Sequence, residues 1–60
     1  MEKLFNLVFD EQNNIKPCGR QTTIKLMEEL YKIYPDENFG NIKTGFMNIE
    51  TVLKYKRDSI

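Results

Sequence analysis

The chain has no histidine, no tryptophan, no alanine and one cysteine, Cys18. Each absence closes a route. A single cysteine cannot form a disulfide within the chain. Four-ligand structural zinc sites are built from cysteine and histidine, so they are excluded too. The usual cysteine–histidine nucleophile pair lacks its base. No stretch approaches the roughly 20 consecutive apolar residues of a membrane span. The opening Met1-Glu2-Lys3 leads into a short apolar patch closed by Asp10-Glu11. A secretory signal needs a longer apolar core and a small-residue cleavage site. Small secreted domains are disulfide-dense, and this chain is not. The expected location is the cytoplasm.

Charge of either sign is also missing in the net. Nine basic and nine acidic residues cancel. Nucleic-acid domains are usually basic, because phosphate neutralisation supplies much of their affinity. Alanine codons are GC-rich, whereas lysine, isoleucine and asparagine, all plentiful here, have AT-rich codons. That usage fits an AT-rich bacterium, or a phage or mobile element living in one.

Sixty residues, 40% of them hydrophobic and seven of them Phe or Tyr, make one domain spanning 1–60. Such a chain buries only about 60% of the surface its unfolded state exposes. Small domains offset this with disulfides, a metal or a partner chain. With the first two removed, a protein partner or self-association is the expected source of additional burial.

The clearest local pattern runs from Arg20 to Tyr34. At 100° per residue, Ile24, Tyr31, Met27, Tyr34, Leu30, Leu26 and Ile33 share one half of a helix, and Lys25, Glu28, Lys32 and Glu29 the other. Glu28 and Lys32 have the favourable i,i+4 order. Pro35 ends the helix. Residues 35–47 read as a connector rich in turn formers, with Phe39, Ile42 and Phe46 as apolar pins. A second helix is expected from Asn48, a favoured N-cap, with Met47 and Val52 at the staple positions and Glu50 paired to Lys54. A start at Asn41 would place Gly45 mid-helix at a cost of about 1 kcal/mol.

The first third is open to two readings. As a helix, Leu7, Leu4, Val8, Phe5 and Phe9 form one apolar arc. As a strand, Phe5, Leu7 and Phe9 face one way and Leu4, Asn6 and Val8 the other. The turn-rich Asp10–Asn14 run and the short Ile15–Cys18 segment favour a hairpin, with Pro17 confining its second strand to an edge. The expected fold is therefore small α+β, an N-terminal β-hairpin followed by two α-helices, with a three-helix all-α domain as the alternative.

No constellation points to chemistry. Cys18-Gly19-Arg20-Gln21-Thr22-Thr23 opens a helix, as phosphate loops do, but lacks the second glycine and the Lys-Ser/Thr pair. A chain reversal at Gly19 accounts for it. The carboxylates are scattered, and EF-hand spacing is absent. No catalytic residue, cofactor site or metal ligand is expected. What remains is a non-enzymatic protein-interaction module, with Tyr31, Tyr34, Phe39 and Tyr55 as the candidate patch, since tyrosine suits surfaces that are half apolar and half wet. The alternative is a small nucleic-acid-binding regulator using Lys54, Lys56 and Arg57 at the basic end of the last helix. The dozen residues between its helices exceed the three or four of a helix-turn-helix.

Overall fold

The computed structural model describes residues 2–58, with the side chains of Glu2, Arg57 and Asp58 left aside. Helix α1 spans Glu2–Val8, helix α2 Arg20–Ile33 and helix α3 Ile49–Asp58. Two short strands, β1 (Gly40–Asn41) and β2 (Phe46–Met47), lie between α2 and α3.

The expected order, hairpin first, is overturned. Residues 2–8 are helical, and the antiparallel hairpin sits in the connector. The reason is the size of the core. Phe5, Val8 and Phe9 are all buried. They stand at i, i+3 and i+4, one helical stripe. A strand would have sent Val8 to the face opposite Phe5 and Phe9, and a 60-residue chain has no second layer to cover it. Leu7, at the edge of the arc, is half exposed.

The chain does reverse at Asp10–Asn14, as the turn residues suggested. Asp10 Oδ1 accepts the N–H groups of Gln12 and Asn14 at 2.9 and 2.8 Å. Asn13 takes a positive φ of 65°. A single bridge, Phe9 to Ile15, follows the turn. Pairing stops there: α1 already occupies the residues before it, and Pro17 has no N–H to extend it. Lys16 reaches back to donate to the Asn6 carbonyl, one of the acceptors left open in the last turn of α1.

Helix α2 matches its sequence pattern closely. Leu26, Met27 and Leu30 are fully buried, with Ile24 and Tyr31 packed beside them. The rim of the half-cylinder is less covered, and Ile33 stays more than half exposed. Lys32 pairs with Glu29 at 3.2 Å rather than with Glu28. Gly19 is the N-cap in extended backbone and offers no side-chain cap. Tyr34 closes the helix through its N–H to the Leu30 carbonyl.

The connector is more ordered than expected. Asn41 Oδ1 accepts the N–H of Lys43 at 2.9 Å, and the Asn41 carbonyl accepts that of Gly45 at 2.9 Å. Gly45 has φ 76° and Gly40 φ 124°. At Gly40 the strands approach so closely that a Cβ would lie 2.1 Å from the Phe46 carbonyl oxygen and 2.8 Å from Met47 Cα. Gly45 belongs to this turn, which is why α3 starts at Ile49 and not at Asn41. The Asn48 carbonyl accepts the Val52 N–H, and Met47 and Val52 are both buried, as the staple positions require. Of the three expected pins, Phe39 is fully buried and Ile42 partly, but Phe46 is 74% exposed. No Glu50–Lys54 ion pair forms among the described residues.

The glycines yield a contrast. Gly40→Ala is expected to lose about 2–3 kcal/mol or more, from the forced φ and the overlap with β2. Gly19→Asp, in open extended backbone, is expected to gain about 0.3 kcal/mol by capping α2. Urea denaturation of the two variants checks both signs; an equal response would mean that the hairpin does not hold the close approach described.

Candidate functional site

The four aromatic residues picked out in the sequence meet in space. Phe39 lies at the centre, fully buried. Tyr31 of α2 meets it edge-on at 5.1 Å between ring centroids, and Tyr55 of α3 at 5.3 Å. Tyr34 lies 6.4 Å from Phe39 and 4.2 Å from Tyr55. Edge-on and tilted geometries suit the ring quadrupoles, and each such pair adds about 0.5–1.5 kcal/mol beyond burial. Three tyrosines, from α2, its C-cap and α3, thus close on one phenyl ring. Proximity of Tyr34 and Phe39 follows from the Pro35 turn between them. Their exposure differs, however: Phe39 has none, and Tyr34 is 37% exposed.

Tyr31 does more than stack. Its hydroxyl accepts the Phe39 N–H at 3.0 Å and donates to the Gly40 carbonyl at 2.9 Å. The Gly40 N–H is taken by Asn38 Oδ1 at 3.2 Å. The outer edge of β1 is therefore closed by side chains. Tyr31 has its polar end committed inside the chain.

The basic run separates into different environments. Lys56 Nζ donates to Asn13 Oδ1 at 2.7 Å and to the Asp10 carbonyl at 3.4 Å, and lies 5.6 Å from the centroid of the Phe9 ring. It fastens the Asp10–Asn14 turn to α3. Lys54 is exposed, 5.6 Å from the Tyr55 ring centroid. The Arg57 side chain lies outside the described part. At the start of α2 the N–H groups of Thr22 and Thr23 point to the Gly19 carbonyl, and Arg20 lies along Gly45. Cys18 is half-buried with its Sγ 3.8 Å from Thr23 Oγ1. Among the described residues, no group of three or more acidic or cysteine side chains could hold a metal ion. None of their helices is long and apolar enough to cross a membrane.

The site that sequence reasoning passed over is Phe46. It stands on the outer face of the hairpin, opposite Asn41, with 74% of its surface open. Beside it a shallow open cleft is lined by Tyr31, Gly40, Ile42, Lys43, Phe46 and Asn48. A signal for it existed. The Met47 staple position was that signal, but it turns Phe46 outward only once 46 and 47 are known to form a strand, along which side chains alternate. No protein-family model, curated protein or solved structure matches the chain.

The Tyr31 hydroxyl gives the sharpest test of this geometry. Tyr31→Phe keeps the ring contact with Phe39 but strands one N–H and one carbonyl in partly buried surroundings. A loss of about 1–3 kcal/mol is expected by chemical denaturation. A variant as stable as the parent would show that the hydroxyl does not hold the connector.

Proposed function

We propose that the chain is a non-enzymatic protein-interaction domain whose contact face centres on Phe46. The observation that carries this reading is the 74% exposure of a phenyl ring on a tightly specified hairpin. Four features fix that hairpin: the Asn41 turn, the glycines at positive φ, the Tyr31 hydroxyl and the buried Met47. An exposed phenylalanine held this rigidly loses little conformational freedom on binding, which favours affinity. Ile42 lines the cleft with it, and exposed apolar patches mark interaction sites. The Tyr31, Tyr34, Phe39 and Tyr55 group supports the face from inside, with Tyr31 reaching the cleft beside Phe46. The single cysteine and the zero net charge suit a domain that works in a reducing compartment on other proteins.

Site-specific photo-crosslinking tests this. A benzophenone amino acid is placed at position 46 and, in a second variant, at the exposed position 25, in cells of the native host. Protein adducts are expected at 46 and not at 25. Adducts at neither position, or equally at both, would remove Phe46 as the centre of a contact face.

A further inference from the structure

Helix α3 is held differently from the other two helices. Helix α1 and the residue after it put Phe5, Val8 and Phe9 fully into the core, and α2 puts in Leu26, Met27 and Leu30. Among the described residues of α3, Val52 alone is fully buried. Leu53 and Tyr55 pack on the core from its margin, and Ile49 is partly exposed. We propose that α3 is a hinged lid. It swings off the aromatic group as one unit, pivoting at Asn48, while α1, α2 and the hairpin stay folded. This device does not depend on the role of Phe46.

The hinge and the clasp lie at opposite ends of the helix. At the start, the Asn48 N–H donates to the Phe39 carbonyl at 2.8 Å and Met47 is buried, so the chain entering α3 is fixed to the hairpin. Near the end, Lys56 Nζ donates to Asn13 Oδ1 at 2.7 Å and to the Asp10 carbonyl at 3.4 Å. The far end of the helix is therefore fastened rather than loose. The fastening is made by groups that water also reaches, where a hydrogen bond contributes little in the net. Between hinge and clasp, Tyr55 closes over Phe39 and stacks on Tyr34.

What remains after opening still holds together. The polar contacts that shape the hairpin run from the Tyr31 hydroxyl, Asn38 and Asn41, and α1 lies against α2 through the core. Phe39 keeps Tyr31 and Tyr34 beside it when Tyr55 leaves. Elements with few buried apolar side chains open at lower free energy than the rest of a domain. The opened form bares Phe39 on its α3 side, so access to the aromatic group is set by the lid.

Native-state hydrogen exchange of the full chain reads this residue by residue. In the parent, the helical amides of residues 52–56 are expected to share one protection, about tenfold or more below that of residues 26–30. Two variants separate a lid from unfolding of the whole. Lys56→Met keeps the apolar stem and removes the ammonium, breaking a contact that exists only when the lid is shut. It should speed exchange in α3 and α2 by the same few-fold factor. Tyr31→Phe removes a contact that survives opening. It should speed exchange about tenfold in α2 and no more than about twofold in α3. Equal protection of the two helices in the parent overturns the proposal, because the chain then opens only as a whole. Protection that falls steadily from residue 52 to residue 56 overturns it too, since that is fraying from the end. So does a Tyr31→Phe variant that speeds both helices alike, or an α3 indifferent to Lys56→Met.

Discussion

The Tyr31 hydroxyl joins the long helix to the connector, and most of the rest follows from that junction. By accepting from Phe39 N–H and donating to Gly40 C=O, it fixes two consecutive peptide groups against α2. Phe39 is thereby turned into the core, where Tyr34 and Tyr55 close over it. Gly40 is held where the two strands come closest, and no residue with a Cβ fits there. The hairpin then has one orientation on α2. Met47 faces inward and Phe46 outward as a direct consequence of strand alternation. The exposed phenyl ring is a product of the same constraint that builds the core.

The core itself is small and assembled from all three helices and the connector. Phe5, Val8 and Phe9 come from α1 and its end, Leu26, Met27 and Leu30 from α2, Phe39 and Met47 from the connector, and Val52 from α3. No polar side chain is buried among them. Long-range polar contacts work at the margin instead. Lys56 ties the Asp10–Asn14 turn to α3 across more than forty residues of sequence, and Lys16 closes the end of α1. These contacts are partly exposed and contribute modestly to stability. Their effect is to choose one arrangement of short elements over others of similar burial.

What the sequence made legible depended on how local the deciding interactions were. Helix α2 was plain, because its stripe, its polar face and Pro35 lie within sixteen residues. The start of α3 was readable from Asn48 and the Met47–Val52 spacing. The first third was misjudged because the Asp10–Asn14 turn is real but says nothing about what precedes it. Whether Phe5, Val8 and Phe9 share a face was settled by the existence of only one core, a tertiary fact. The hairpin at 40–47 was hidden for a different reason. Its strands are two residues each, too short for periodicity, and its specification rests on Gly40 meeting Phe46 and on Tyr31 nine residues upstream. The aromatic group was found by residue type, but its division into a buried Phe39 and partly exposed tyrosines required the connector's path.

The central claim is that one junction both buries Phe39 and displays Phe46. Through-space proton contacts among the aromatic rings, recorded by NMR, test it most directly. Cross-peaks linking the Phe39 ring to Tyr31, Tyr34 and Tyr55 are expected, with none between Phe46 and the core residues Leu30 or Val52. A Phe46 ring in contact with Leu30 or Val52, or a Phe39 ring without its tyrosine neighbours, would contradict the account.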